Sequence, residues 1–336
     1  MKTSVIIPHY NGIAILGDCL DSLLAHDRRP DEIIVVDNAS TDQSVEMLKA
    51  RYPQVRLLAL LKNTGFTGAN NAGISIASGD MIVLLNNDCI VERGWLSALL
   101  QRMEDQSIAA VSSSMRNINS LEIMDSAGGE LDWMGFSRDV GRGEPFMCHS
   151  SAKDLPFPCG GAVIVRRSAL PSPDKLFWDD LFIYYEDLDL GFELNRTGWR
   201  VVYEPDAVVR HVHSATAGSY SFLKEYSCTR NRLLVLKKHL NRKTFRELTP
   251  LILSWHLLWI STSLARGRHS YARAILKGTS DALKKDVAPF EAPIPLECLF
   301  MRFAKDAAQQ GRAKRLLYGR ARHTIRKNAA SLKANA

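Results

Sequence analysis

Between residues 3 and 113, short apolar runs rich in β-branched residues alternate with stretches whose apolar positions recur at helical spacing. Residues 4–7, 32–36, 55–61, 81–85 and 109–113 are predicted as strands. Residues 13–25, 44–51, 68–77 and 94–105 are predicted as the helices between them, with Ser40 or Thr41 placed to cap the second. Alternation of this kind argues for an open α/β sheet with helices on its faces. Ligands of such sheets collect at the carboxyl ends of the strands, and there this chain places its polar residues: "PHYNG", "DNAST", "KNTGFTGANN" and "NND" after the first four strands.

From about residue 117 to 158 the pattern loosens into Gly-rich text, which suggests a long connection or small subdomain shaping a second binding site. Order returns at "CGGAVIVRRSAL", a strand and turn, and "FIYYEDLDLGFELNRTGWRVVYEPDAVVRHVHS" reads as loop, helix, strand, turn and strand. Beyond Tyr220 the chain becomes mainly helical, and no internal repeat is visible. Residues 248–265 form an apolar run slightly short of the ~20 that span a bilayer. The run contains Pro250, His256 and several hydroxyls, so it reads as a buried or interfacial helix.

Composition suits one large or two modest globular domains. The formal net charge of +7 is uneven: residues 301–336 hold 10 Lys or Arg against Asp306 alone, leaving the rest near neutral. Such a tail is either a solvated end or a contact for nucleic acid or an anionic membrane surface. Beside the apolar run it suggests peripheral membrane attachment. Six scattered cysteines without a CxxC pair read as reduced, mostly buried thiols of a cytosolic protein. The start "MKTSVIIPHYNG" lacks the features of a signal peptide, so the chain is expected to stay where it is made.

Several polar clusters carry chemistry. Asp37, ending the run "IIVV", either caps the following helix or accepts hydrogen bonds from a nucleobase or ribose. In "NTGFTGANNAG", Gly65 and Gly68 allow close backbone approach while Asn70 and Asn71 supply amides, and no GK[ST] follows to make a Walker motif. Asp88, flanked by short amides at the end of an apolar strand, suits a hard divalent cation that keeps open positions for phosphate oxygens. Glu186, Asp187 and Asp189 open a helix, where they either complement its dipole or take the proton from an incoming hydroxyl. His211 and His213 alternate with Val212 and so share one face of a strand.

The ordered set "VIIPHYNG", "IIVVDNASTDQS", "NTGFTGANNAGI", "LLNNDCIVERGWL", "YYEDLDLGFELNRTGWRVVYEPDAVVRHVHS" and "RNRLLVLKKH" resembles the family 2 glycosyltransferases over about residues 3–240. In particular it resembles the rhamnosyltransferase-like branch that builds bacterial surface polysaccharides. The resemblance implies an α/β GT-A fold with a Rossmann-like mixed central sheet over residues 1–240. Residues 1–115 would form the nucleotide-sugar half, 116–240 the acceptor and catalytic half, and 241–336 a helical, basic extension. It further implies a nucleotide-diphosphate sugar donor, a Mg²⁺ or Mn²⁺ ion and inversion at the anomeric carbon. Carried onto this sequence, it makes Asp37 the base-recognising acid, Asn87 and Asp88 a degenerate DXD metal motif, and His211 a further metal ligand. Asp187 becomes the catalytic base, with Glu186 beside it. Pro8, Tyr10, Asn11, Asn38, Asn63, Gly65, Phe66, Asn70 and Asn71 join Asn87 as nucleotide-sugar-binding candidates, and Asp189, Trp133 and Tyr185 are candidates on the acceptor side.

Two departures from the family pattern stand out: the metal motif has one aspartate rather than two, and the QxxRW element of processive synthases is absent. The expected activity is single addition of rhamnose or a similar sugar from a dTDP- or UDP-sugar to a hydroxyl of a growing, lipid-linked glycan or glycolipid. The expected place is the cytoplasm or, through peripheral attachment, the inner face of the cytoplasmic membrane, with no nucleic-acid partner. Competing readings are a nucleotidyltransferase, which gives the 186–189 cluster no role, and a non-catalytic nucleotide-sugar-binding protein.

Overall fold

The computed structural model describes residues 1–26, 28–132, 134–212 and 221–288. Among those residues, the first unit comprises 1–26, 28–129, 139–194 and 199–212. The chain begins with strand β1 (Thr3–His9), helix α1 (Ile13–Leu24), β2 (Glu32–Asp37), α2 (Ser44–Arg51), β3 (Arg56–Ala59), α3 (Gly65–Ile76) and β4 (Met81–Leu85). Then follow β5 (Cys89–Val91), α4 (Trp95–Arg102), β6 (Ile108–Asn117), β7 (Ser120–Ser126), β8 (Gly129–Leu131), β9 (Ser137–Asp139) and β10 (Lys153–Asp154). The succession closes with β11 (Ala162–Arg166), α5 (Glu186–Arg196) and β12 (Arg200–His211). The main sheet has the order β10-β12-β6-β11-β4-β1-β2-β3, with β5 on β12 and β7 on β6. β1 to β4 pair in parallel, and β11 runs antiparallel between β4 and β6.

β1, β2 and β4 carry apolar runs because both of their faces are covered. Val5, Ile7, Ile33, Val35, Val83 and Leu85 pack with Leu16, Leu20 and Leu99 on one face. Ile6, Ile34, Val36, Ile82 and Leu84 pack with Ala69, Ile74, Leu190 and Leu194 on the other. Each strand thus divides odd from even positions between two cores. β2 and β4 lie on opposite sides of β1, so the chain switches direction across the sheet at β1. Pairing of β1 with β4 stops at Ile6–Leu84, whereas pairing with β2 continues to His9–Asp37. A crevice therefore opens beyond Ile6, the place where open α/β sheets bind ligands.

Most expected elements appear, with shifted bounds. The third strand is four residues, and α3 starts at Gly65, three residues earlier than its pattern suggested. Its first turn is set by side chains outside the helix: Asn63 Oδ1 accepts from Gly65 N at 2.8 Å and Asn38 Oδ1 from Thr64 N at 2.8 Å. The expected turn at "EPD" is instead a bulge within the continuous strand β12, where the register on β6 slips between Glu204 and Val208. Pro205, with no N–H to offer, sits in that slip. The loose region 117–158 contains β7 to β10.

Among the described residues, the second unit gathers 130–132, 134–138 and 195–198, which hold most of β8 and β9 and the end of α5, together with 221–288. Its helices are α6 (Phe222–His239), α7 (Arg242–Ala265) and α8 (His269–Lys284). Ser221 Oγ caps α6 through Lys224 N at 3.1 Å, and Asn241 Oδ1 caps α7 through Thr244 N at 2.8 Å. The buried Arg232 lies 3.6 Å from the Phe136 ring centroid and bonds His256, whose other ring nitrogen meets Thr279 Oγ1 at 2.7 Å. α7 is long and apolar enough to cross a membrane, yet it turns Leu257 (65 % exposed), Leu258 (55 %) and Leu264 (47 %) to solvent. Residues 242–285 hold nine Lys or Arg against two acids. Of the expected buried thiols, Cys19 and Cys89 are buried and Cys148 is exposed. Cys298, His213, Trp133 and the basic stretch 301–336 lie outside the described residues.

Candidate active site

The loops at the carboxyl ends of the strands are stitched to one another by short polar side chains. Asn11 Oδ1 accepts from Thr41 N at 2.9 Å, and Asp42 Oδ2 accepts from Gly12 N at 2.8 Å. Asn38 Nδ2 donates to Asn63 Oδ1 and to Gly65 O, both at 3.0 Å. Thr67 N donates to Phe182 O at 3.1 Å, which ties the start of α3 to the segment before α5. A Cβ at Gly65 would fall 2.4 Å from Phe182 O, so this contact admits only glycine. Among the described residues, the non-glycine positions with positive φ are Asn11, Ala39, Phe182, Tyr184 and Tyr185. All five sit in the loops after β1 and β2 or just before α5, and strain of this kind concentrates at functional sites.

Asp37 is buried, and its two carboxylate oxygens have different fates. Oδ2 accepts from Ser40 N at 3.1 Å, the capping arrangement expected of an acid after a strand. Oδ1 is buried with no hydrogen-bond partner. An orphaned buried carboxylate oxygen costs stability unless a ligand supplies the missing donor.

"NND" forms the tight link between β4 and β5, closed by Cys89 N donating to Asn86 O at 3.2 Å. Asn86 N donates to Gly161 O at 2.8 Å. Asn87 Nδ2 lies 2.9 Å from His9 Nδ1, and His9 Nε2 lies 2.8 Å from Ser44 Oγ. Burial holds His9 below its ordinary pKa, so the neutral ring accepts from Asn87 and donates to Ser44. β5 pairs with the end of β12, setting His211 opposite Cys89. His211 Nε2 comes to 3.4 Å from Asp88 Oδ1, a buried oxygen with no hydrogen-bond partner. The other nitrogen of His211 bonds Asp125 Oδ2. Burial lowers the His211 pKa, but the hydrogen bond to Asp125 and the nearby charges of Asp88 and Asp125 outweigh it and raise the group to about 9.

α5 opens with Glu186 and Asp187. Glu186 is buried with Oε2 unpartnered, and Asp187 Oδ1 accepts from Leu188 N at 2.8 Å. Burial is the main cause raising both carboxyls, reinforced by Asp187 for Glu186 and by Asp139 for Asp187. A Cβ on Gly160 would meet Asp187 Cβ and Phe66 Cε1, each at 3.7 Å. The Gly160–Gly161 turn therefore borders Asp187 at one residue and Asn86 at the next.

The family model described as glycosyl transferase family 2 matches residues 4–171, half of the chain. The chain belongs to glycosyl transferase family 2. It is 30% identical over 213 residues to the pre-mycofactocin glycosyltransferase of Mycobacterium tuberculosis, covering 62% of this chain and 42% of that protein. It is 28% identical over 228 residues to the N-acetylglucosaminyl-diphospho-decaprenol L-rhamnosyltransferase of the same species, covering 59% and 72%. The chain spans less than half the length of the pre-mycofactocin enzyme. Among solved structures it is similar to GalNAc-T7 with UDP, GalNAc and Mn²⁺, with TM-score 0.59 and 18% identity over 75% of this chain and 51% of that one. The mannosyltransferase PcManGT of Pyrobaculum calidifontis, in complex with GDP-Man and Mn²⁺, gives TM-score 0.52 and 17% identity over 84% and 87%. The fold is the GT-A fold.

A GT-A fold implies a divalent cation, and the residues present fit one. Asp88 Oδ1 is orphaned, an imidazole nitrogen faces it, and Asp88, Cys89 and His211 bring their ligand atoms within 4.8 Å of one another. A carboxylate with an imidazole is a donor set for Mn²⁺ or Mg²⁺. The Cys89 thiol is pushed well up by burial first and the charge of Asp88 second, so it stays protonated and is no ligand for a hard ion.

The structure gives some expected residues of the family 2 site a different task. Asn38, Asn63 and Asn11 are occupied in joining loops. Asn71 bonds Phe177 O, Asp179 Oδ1 and the backbone N–H groups of Leu176 and Phe177, so its amide holds residues 176–179. Short amides near a glycine-rich turn serve loop and ligand equally well, which is why the sequence pattern did not separate the two. Asn70 keeps a buried, unpartnered Oδ1, and Tyr10 is exposed beside the crevice strand β1. Pro8 lies in β1 beyond the reach of β4. Phe66 packs 5.9 Å from Phe177, and Tyr185 and Asp189 are buried around α5. Asp125 and His9 were missed. His9 lies inside the motif "PHYNG", whereas nothing near Asp125 in the sequence marks it.

Proposed function

We propose that this family 2 chain is a glycosyltransferase that moves a sugar from a dTDP- or UDP-sugar, with inversion, to a hydroxyl of a growing lipid-linked bacterial surface glycan. The observation that carries the reading is the pair of buried carboxylate oxygens without a hydrogen bond, Asp37 Oδ1 after β2 and Asp88 Oδ1 after β4. These strands flank β1, on either side of the crevice. Because Ser40 holds Oδ2 of Asp37, a single oxygen remains for the base. One acceptor matches the one imide N–H of uracil or thymine, while the neighbouring N–H groups of guanine call for two.

Asp88 and His211 would hold Mg²⁺ or Mn²⁺. Bound there, such a cation supplies Lewis-acid stabilisation to the departing diphosphate, worth several kcal/mol. Asp187, with its pKa raised by burial, accepts the proton of the attacking hydroxyl, a role worth ~10²–10⁴-fold. Glu186, also raised, stays protonated over part of the neutral range and keeps a second negative charge away from Asp187. One base and one displacement give inversion. A rhamnosyl donor is supported by the M. tuberculosis rhamnosyltransferase relative.

A lipid-linked acceptor agrees with the second unit. The exposed leucines of α7 lie between Arg246 and Arg266, and an apolar strip with basic flanks suits an anionic membrane face. The enzyme then works at the cytoplasmic side of that membrane. The test is incubation with a panel of nucleotide sugars, Mn²⁺ and lipid-linked acceptors, with the anomeric configuration of the product read by NMR. Metal-dependent transfer from a dTDP- or UDP-sugar with inversion is expected. Retention, or transfer unaffected by chelator, would refute the reading.

A further inference from the structure

The loosely patterned segment between β6 and β11 contributes one charged group to the strand-end cluster. Asp125 lies on β7, is 8 % exposed, and bonds Nδ1 of His211 through Oδ2. β6 lies between β7 and β12, and its register on β7 slips on both sides of Arg116, alongside Asp125. Irregular pairing of this kind re-aims a side chain. Arg142 Nε stands 3.9 Å from Asp125 Oδ1, while Arg142 Nη1 bonds Asp139 Oδ2 at 3.1 Å.

We propose that Asp125 is a positioning residue that fixes the ring of His211 so that Nε2 faces the cation site at Asp88. The inference rests on the reading of Asp88 and His211 as cation ligands. An imidazole binds a cation through one nitrogen, and the bond made by the other decides the tautomer and the ring plane. With Nδ1–H directed at Asp125, His211 turns Nε2 toward Asp88 Oδ1 at 3.4 Å, the nitrogen that would ligate a cation in exchange for its proton. A carboxylate behind a ligating imidazole also raises its basicity. The single aspartate of this chain's metal motif makes that increment valuable, because the site holds less negative charge than one with two. Asp125 thereby gives the segment between β6 and β11 a role in cation affinity.

The experiment measures Mn²⁺ affinity by the EPR signal of the free ion, in the presence of saturating UDP, for the full chain and for Asp125→Asn and Asp125→Glu. Thermal midpoint and UDP binding without metal are recorded alongside. Asp125→Asn is expected to bind Mn²⁺ about 10- to 100-fold more weakly, with metal-free UDP binding and thermal midpoint held near wild type. Asp125→Glu, which keeps the acceptor, is expected to recover part of the loss, and it carries the test should Asp125→Asn not fold. Unchanged Mn²⁺ affinity in Asp125→Asn would overturn the proposal alone. Parallel loss of metal-free UDP binding and of the thermal midpoint would assign Asp125 a structural role and overturn it as well. Failure of the wild-type chain to bind Mn²⁺ would remove the reading of Asp88 and His211, and the proposal with it.

Discussion

Replacing Asp37 by Asn separates the two tasks assigned to its carboxylate. The amide oxygen of Asn can still accept from Ser40 N, the bond that Oδ2 makes at 3.1 Å. The buried Oδ1, which has no protein partner, becomes an NH₂ group that meets the imide N–H of the base donor to donor. A hydrogen bond to a charged group contributes roughly 1.5–3 kcal/mol. At about 1.4 kcal/mol per tenfold, that is a loss of roughly 10- to 150-fold in affinity for UDP or dTDP. The fold should not suffer, because the cap survives and an uncompensated buried charge is removed. Asp37→Ala, by contrast, loses the capping bond too, at ~0.5–2 kcal/mol. Isothermal titration with UDP, dTDP and GDP, paired with thermal melts, distinguishes these outcomes. Equal UDP affinity in Asp37→Asn, or a loss that merely follows a falling thermal midpoint, would refute the assignment of Asp37 to the base.

Asp187→Asn should lower transfer by about 10²–10⁴-fold while leaving UDP affinity near wild type, measured by coupled UDP release and titration. Because burial raises the Asp187 carboxyl, transfer should climb with pH along a limb placed above the ordinary carboxylate pKa of about 4; a flat profile from pH 5 to 8 would contradict it. Stability has the opposite sign: raised carboxyls bind more protons folded than unfolded, so stability falls as pH rises from about 4 through the raised values. Asp187→Asn should therefore melt at a higher temperature than wild type at pH 8. Gly73→Ala should lower stability by about 1–3 kcal/mol in chemical denaturation, since its Cβ would sit 2.5 Å from Ile6 Cγ2 between α3 and the sheet. Leu257→Ser with Leu258→Ser should reduce co-sedimentation with anionic vesicles by roughly tenfold, with transfer to a soluble acceptor unchanged.

How legible the protein is in its sequence varies along the chain. β1, β2 and β4 were readable because they are covered on both faces, which turns each into an apolar run ending at a polar loop. Asp37 and Asp88 announced themselves by interrupting such runs. The start of α3 was misplaced because Asn38, distant in sequence, supplies part of its cap. The bulge in β12 was read as a turn because "EPD" carries turn chemistry, while the pairing with β6 that keeps the strand continuous is long-range. The bonds that Asn71 makes were unreadable for the same reason, since its four partner atoms lie 105 to 108 residues away. Asp125 was invisible: its meaning depends on β6 standing between β7 and β12, and no local pattern encodes that neighbourhood.

The most direct test of the account is titration of UDP and dTDP into the purified chain, with and without Mn²⁺, for wild type and Asp88→Ala. The account predicts binding that Mn²⁺ strengthens in the wild type and that loses its metal dependence in Asp88→Ala. Binding equally strong without metal, or equally strengthened by Mn²⁺ in Asp88→Ala, would contradict the placement of the cation at Asp88 and His211.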